Sequence, residues 1–327
     1  MTSEASTTST GISRFSAKSP KLPEPCPRQD IIIPANDRVL LRGTMFRPKE
    51  NPENIPNGII TVHSGTGVPQ GFYHRFAETV AEKGYGVITY DYRGIGQSAL
   101  KTDQNNEDIR MSDWITKDIP GVIEWAKETY PDVPHFAVGH AVGGHGIAYA
   151  GSEGTYDAAA LVNCRGMRIS KVPSVAGKVR AFFIFNILGP ISGFITGHIP
   201  ASAWRLAVEP PNGVMRQWAR WARKEGYFFD DSEFDFANRF SKAPQPFLSI
   251  RVPDDYWTEE SSADLITNVM SSAEKIEKRQ AQPAGGKGVG YGGYFRSGHE
   301  KEWDELLDWF QTCLLYTSDA ADDYLRV

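Results

Sequence analysis

The stretch Phe136-Ala137-Val138-Gly139-His140-Ala141-Val142-Gly143-Gly144 decides how this chain is expected to fold. It has the outline of a nucleophile elbow, G-x-S-x-G, in which a strand ends in a tight turn and a helix begins directly after it. The glycines and the apolar strand are in place. The residue at the centre of the turn is Ala141, however, and a methyl group cannot attack a carbonyl carbon. The stretch therefore predicts a strand–turn–helix unit that lacks the usual nucleophile.

Apolar strands and amphipathic helices alternate on both sides of this turn. The pattern predicts a hairpin over 30–46, strands at 58–62, 86–90, 158–163 and 247–252, and helices at 73–83, 113–130 and 300–310. Such alternation implies βαβ units and a mostly parallel sheet flanked by helices. We therefore predict an α/β core formed by residues 30–165 and 243–312. The aromatic-rich residues 166–242 break the rhythm and are predicted to form an inserted helical cap.

The two ends of the chain do not follow this alternation. Residues 1–29 are rich in Ser, Thr and Pro, which predicts a disordered tail rather than a secretory signal. A few basic residues within it leave an organelle transit peptide open, but we expect a cytoplasmic protein. Residues 313–327 include a run that resembles a translated sequencing adapter, so we expect them to be a non-native tail.

Composition excludes several classes of function. A net charge of −5 and the lack of a basic cluster argue against nucleic-acid binding. Three widely spaced cysteines fit a reducing compartment, and they argue against a disulfide framework or a zinc site. No phosphate-binding or dinucleotide motif appears, so neither a cofactor nor a metal is expected. The apolar stretch 181–199 is interrupted by Asn186 and Pro190, which favours two short helices over a pocket and leaves membrane contact through the cap open.

Five blocks of sequence carry a resemblance to a known family. They are Gly65–Tyr73, Tyr90–Ser98, the Gln217-Trp218-Ala219-Arg220-Trp221-Ala222 run, Pro253–Trp257 and Gly290–Arg296. Together with the elbow they resemble the α/β-hydrolase superfamily and, within it, serine-aminopeptidase-like predicted hydrolases of unknown substrate. The resemblance runs from about Arg38 to Phe310. It implies an α/β-hydrolase fold with a helical cap, and it implies a Ser–Asp–His triad.

Carried over by this resemblance, the triad falls on residues that cannot perform its chemistry. The nucleophile position is Ala141, the acid position is Asp255 with Asp254 as the alternative, and the histidine position is Tyr291. A phenol with a pKa near 10 is a poor base at neutral pH. Loss of triad members typically removes several orders of magnitude in rate. Two of the three positions are therefore replaced, which argues against serine hydrolysis.

The resemblance also places an oxyanion and substrate pocket around the elbow. Its expected members are the backbone N–H of Val142 and the loop of Gly65 and Thr66. His63, at the end of the preceding strand, is expected either to contact substrate or to stabilise this loop. The sequence is compatible with both roles of His63.

Other histidines near these positions are predicted to be structural. His140 and His145 flank the elbow and are expected to be packed or hydrogen-bonded rather than catalytic. His299 is expected at the surface, near the start of the last helix. Cys164 is expected to be a buried thiol, and Trp218 is expected to pack the cap, with pocket lining as the alternative.

The interpretation that follows is a hydrolase relative without hydrolytic activity, retained to bind a small hydrophobic molecule, an acyl or ester ligand, or a partner. Two alternatives stay open. One is an active hydrolase or lyase-type enzyme that uses Asp255 and Tyr291 as a proton-transfer pair. The other is a Ser-to-Ala variant of an active hydrolase at Ala141. The oligomeric state is not predicted.

Overall fold

The chain is built around a mostly parallel sheet. The computed structural model describes residues 26–49, 55, 57–183, 186–187, 206–255 and 260–324. Its strands are β1 (Arg28–Pro34), β2 (Leu40–Phe46), β3 (Ile59–His63), β4 (Gly86–Tyr90), β5 (His135–His140), β6 (Ala158–Val162), β7 (Phe247–Arg251) and β8 (Ile276–Gln280). Their order in the sheet is β1-β2-β4-β3-β5-β6-β7-β8. The first two strands join antiparallel and β2 meets β4 antiparallel, while all later pairings are parallel.

The central strands are apolar on both faces because helices cover the sheet on both sides. Along β5, Phe136 and Val138 point into one layer of the core, whereas Ala137 points into the other. Every residue of β3, β4, β5 and β6 is buried. This confirms the predicted α/β class and explains why these strands show no alternation in the sequence.

The described part of the chain forms eight α-helices of at least four residues. They are α1 (His74–Ala81), α2 (Ile119–Thr129), α3 (Val142–Ala150), α4 (Val175–Phe183), α5 (Asn212–Ala222), α6 (Phe236–Ser241), α7 (Asp264–Thr267) and α8 (Glu300–Tyr324). On one face α1 and α8 pack through Phe76 and Trp303, whose rings meet edge to face at 5.4 Å. On the other face of the sheet α2 and α3 contribute Ile119 and Ile147 to one apolar cluster.

The observed elements differ from the predicted ones in three places. Strand β1 begins at Arg28, inside the predicted tail, and Cys26 just before it is buried. Strand β8 was not predicted at all, because its charged sequence is typical of a sheet edge and lacks an apolar run. Helix α8 continues to Tyr324, beyond the predicted end at Phe310. Residues 1–25 and 325–327 lie outside the described residues.

Within residues 166–242 the described part of the chain forms helices α4, α5 and α6, which are joined by loops and short 3-10 turns. Helix α5 is joined to the core by Gln217, whose Oε1 accepts a hydrogen bond from the Ser112 N–H at 2.8 Å. Most of the apolar stretch 181–199, including the second of its two predicted helices, lies outside the described residues. Among the helices that the structure describes, none has the length and apolar character needed to cross a bilayer.

Candidate active site

The elbow has a strained backbone at its tip. Ala141 lies between β5 and α3 with φ 48° and ψ −111°, a conformation that residues other than glycine rarely adopt. The turn also needs glycines on both sides. A Cβ atom on Gly143 would lie 2.2 Å from the His63 carbonyl oxygen, and one on Gly139 would lie 2.4 Å from the Gly144 nitrogen. The chain therefore forms the sharp turn of a nucleophile elbow with a methyl group at its tip.

A small cavity of about 50 Å³ lies over this turn. It brings together five residues that the sequence predicted for the site, namely Thr66, Ala141, Val142, Asp255 and Tyr291. The remaining lining residues are His145, Asn163, Arg165, Met167, Leu206, Trp218 and Tyr227. A larger depression of about 500 Å³ lies between β8 and α8, but none of these residues lines it. The elbow cavity is therefore the candidate active site.

Asn163 links the acid position to the loop of Tyr291. Its Nδ2 group donates to Asp255 Oδ2 at 2.9 Å and to the Tyr291 carbonyl oxygen at 3.3 Å. Asn163 has φ 50°, and its backbone N–H donates to the Ile250 carbonyl oxygen at 2.8 Å. The sequence motifs did not identify Asn163 as part of the site. The available signal was an asparagine directly after a buried strand, since asparagine is one of the few residues that tolerate a left-handed backbone.

His140 is structural, and its ring lies against that of Tyr291, with ring centroids 4.5 Å apart. Its Nε2–H donates to the Tyr291 carbonyl oxygen at 2.8 Å. Its Nδ1 accepts from the Tyr73 hydroxyl at 2.8 Å, and that hydroxyl oxygen accepts from the Gly65 N–H. Burial lowers the pKa of His140 to about 4. With both nitrogens engaged, this neutral imidazole holds the Tyr291 loop in place and is not placed to act as a base.

His145 contributes a different surface to the cavity. Its Nε2–H donates to the Arg165 carbonyl oxygen at 3.1 Å, which leaves Nδ1 as an acceptor with no hydrogen-bond partner among the described residues. Burial lowers the pKa of His145 to about 3. An imidazole with so low a pKa is a weak base at neutral pH.

His63 does not line the cavity, which corrects its predicted place in the substrate pocket. The side chain is completely buried, with Nε2 2.9 Å from Thr61 Oγ1 and Nδ1 2.8 Å from the Tyr90 hydroxyl. These contacts support the stabilising interpretation. Gly65 lies behind the lining, where a Cβ atom would be 2.7 Å from the Tyr291 hydroxyl oxygen. Close packing therefore requires a glycine at this position.

Three other predicted positions can be placed. His299 is buried and contacts the Glu302 carboxylate, so its predicted exposure is wrong; the residue lies at the start of α8 but packs inward. Trp218 lines the cavity, as in the alternative left open for it. Cys164 is buried, and burial raises the pKa of its thiol.

Within the described ranges, no group of three or more His, Cys, Asp or Glu residues could hold a metal ion.

Part of the chain is similar in sequence to known proteins. Residues 54–187 match the family described as serine aminopeptidase S33. A monoglyceride lipase homologue of monkeypox virus is 30% identical over 94 residues, which are 28% of this chain and 32% of that protein. The monoglyceride lipase of Mus musculus is 30% identical over 133 residues, 39% of this chain and 40% of that protein. The matches thus cover 32% to 40% of the length of these curated relatives.

A solved esterase of Pyrococcus furiosus is similar over a much longer range. Its structure superposes with a TM-score of 0.59 at 14% identity, and the match covers 88% of this chain and 91% of that one. At so low an identity the similarity concerns the fold alone. The sheet order, the elbow turn and this structural similarity together show that the chain has the α/β-hydrolase fold.

Proposed function

We propose that this chain belongs to the α/β-hydrolase superfamily but does not itself hydrolyse esters. We further propose that it binds a small acyl or ester-like ligand over its elbow. The observation that carries the proposal is the turn itself. The backbone at Ala141 keeps the strained conformation that presents a nucleophile, while the side chain it presents is a methyl group. Backbone strain costs free energy, and it persists only where the surrounding structure holds it. Retention of the shape without the nucleophile supports a binding function.

The groups that would recognise a carbonyl remain in the proposed site. Val142 is the first residue of α3, so its N–H has no acceptor within the helix. The resemblance to nucleophile elbows would place this N–H in an oxyanion hole beside Ala141. Thr66 lines the same cavity. Donors in this arrangement bind a carbonyl oxygen in hydrolases that act through an oxyanion hole. In this chain they would position the carbonyl group of a ligand that is not attacked.

The size and lining of the cavity limit the ligand. A volume of about 50 Å³ accommodates roughly three to five water-sized groups, since each needs about 10–15 Å³. Met167, Leu206 and Trp218 provide apolar walls. We therefore propose a ligand that inserts a short acyl group, with any longer part outside this chamber.

Binding can be tested with 2-pentanone, a ketone that has the shape of a short ester and no bond to hydrolyse. Leu206→Trp places extra bulk in the cavity, and we expect it to weaken the affinity by about tenfold or more. Val208→Trp is the matched control, because Val208 is partly buried two residues further along and does not line the cavity. The measurement is a ligand-observed NMR titration of the three proteins.

Equal affinities in all three proteins would place the ketone somewhere other than over Ala141. If Val208→Trp loses affinity as strongly as Leu206→Trp, the loss comes from disturbing residues 206–208 and not from filling the cavity. Either result would contradict the proposed binding site.

A further inference from the structure

Helix α4 turns an apolar face to the solvent. Val175 is 78% exposed, Val179 51%, Phe182 51% and Phe183 49%. Large apolar side chains scattered singly over a surface are ordinary, but four of them within one nine-residue helix form a patch. Such patches mark sites of contact with proteins or membranes.

The geometry of the helix separates this face from the protein. At 3.6 residues per turn, positions 175, 179, 182 and 183 fall within an arc of about 100°. Ala181, the buried residue of the helix, lies on the opposite side and packs into the core. Lys178 and Arg180 lie on the two borders of the apolar arc, and both are exposed. The helix therefore presents an outward apolar stripe with a cation on each side.

The sequence around α4 is strongly basic in a chain that is acidic as a whole. Between Ala158 and Val208 there are six Lys or Arg residues and neither Asp nor Glu, although the net charge of the chain is −5. Among the carboxylates that the structure describes, none lies within ion-pair distance of Lys171, Lys178 or Arg180. Arg165 and Arg168 donate to backbone carbonyl oxygens of the protein. The charges that no described carboxylate neutralises are therefore those of Lys171, Lys178 and Arg180.

We propose that α4, with its basic flanks, is a docking surface for an anionic lipid membrane. A helix with an outward apolar stripe between cations lies in the plane of a membrane interface, its apolar side chains among the acyl chains and its cations at the headgroups. The helix is too short to span a bilayer, which needs about 20 residues. The surface therefore lies on the membrane and does not cross it.

Charge argues against two other occupants of this face. In a symmetric contact between two copies, the same basic segment would meet itself, so Lys178 and Arg180 of both copies would gather at one interface without acidic partners. Residues 184–205 of the same chain also contain no Asp or Glu to pair with these cations. An anionic membrane supplies both the apolar phase and the negative charge.

Residues on both sides of α4 in the chain line the elbow cavity. Met167 lines the cavity before α4, and Leu206 lines it where the described chain resumes. Docking through α4 would consequently hold the cavity near the lipid surface. The membrane proposal nevertheless stands without the proposed ligand, because lipid binding can be measured with no ligand present.

The test is cosedimentation of the full chain with vesicles of phosphatidylcholine alone and with 30% phosphatidylserine added. We expect binding to the anionic vesicles, and a partition coefficient at least about tenfold lower for neutral ones, since each cation near the surface contributes on the order of 1 kcal/mol. Val179→Asp with Phe182→Asp should abolish binding. Lys178→Glu with Arg180→Glu should reduce it by about tenfold or more.

Leu100→Asp is the matched control, because Leu100 is 71% exposed at another part of the surface and should leave vesicle binding unchanged. All substituted side chains are exposed, so thermal unfolding should confirm that each variant is folded. Failure of the unmodified chain to sediment with anionic vesicles would overturn the proposal. Equal loss in the Leu100→Asp variant, or self-association abolished by Phe182→Asp without vesicle binding, would overturn it as well.

Discussion

Ester hydrolysis should rise by at least about 10³-fold when Ala141→Ser and Tyr291→His are introduced together. Both positions line the same cavity, and the Tyr291 loop lies beside Asp255, since Asn163 donates to both. A serine at the tip of the strained turn would gain an imidazole as its base and a carboxylate to orient that imidazole. The measurement is initial-rate hydrolysis of p-nitrophenyl acetate and butyrate.

Single substitutions provide the matched controls. Ala141→Ser supplies a hydroxyl without a base, and Tyr291→His supplies a base without a hydroxyl, so each alone should remain near the rate of the unmodified chain. Adding Asp255→Asn to the double variant should remove most of the gained activity. A folded double variant that stays inactive would show that the cavity no longer has the geometry of a hydrolase site.

Stability should fall steeply between pH 7.5 and 5.0. Burial lowers the pKa of His63 to about 3, of His140 to about 4 and of His145 to about 3. In the unfolded chain these groups regain a pKa near 6.5, so the unfolded state takes up protons first as the pH falls. The stabilisation from these neutral histidines is therefore complete above about pH 6.5, and it is lost as the pH falls toward 4.

The expected loss of unfolding free energy between pH 7.5 and 5.0 is about 2 kcal/mol for each of these three histidines, at about 1.4 kcal/mol per pH unit below 6.5. The total is a large part of the 5–15 kcal/mol that stabilises a typical protein. Urea unfolding across this pH range measures it. His145→Gln should lower the slope of the unfolding free energy against pH by the contribution of one proton, about 1.4 kcal/mol per pH unit. An unchanged slope in that variant would contradict the lowered pKa of His145.

The sequence predicted the elbow and most of the sheet because local signals mark them. Buried strands such as β4 are short apolar runs, and the turn at Ala141 is marked by glycines that close packing requires. Strand β8 lacked such a signal, because an edge strand can be polar along its length. Its place depends on pairing with β7, which no local pattern reveals.

The candidate site was predictable to the extent that its members belong to recognisable blocks. Asp255 and Tyr291 were found in this way, and the structure brings both to the cavity. Asn163 belonged to no such block, and its contact with Asp255 depends on a long-range approach between two strand ends. His63 and His299 were misplaced for a related reason. Whether a histidine at the end of an element faces solvent, a pocket or the core is set by tertiary packing.

We propose that the unmodified chain binds a ligand over its elbow and does not hydrolyse esters. The most direct test is hydrolysis of short-chain aryl esters by the unmodified chain, compared with its Asp255→Ala and Tyr291→Phe variants and with buffer. We predict the same background rate in all of them, since neither side chain has a nucleophile to activate at Ala141. Turnover by the unmodified chain that disappears in either variant would contradict the claim and would assign catalysis to Asp255 and Tyr291.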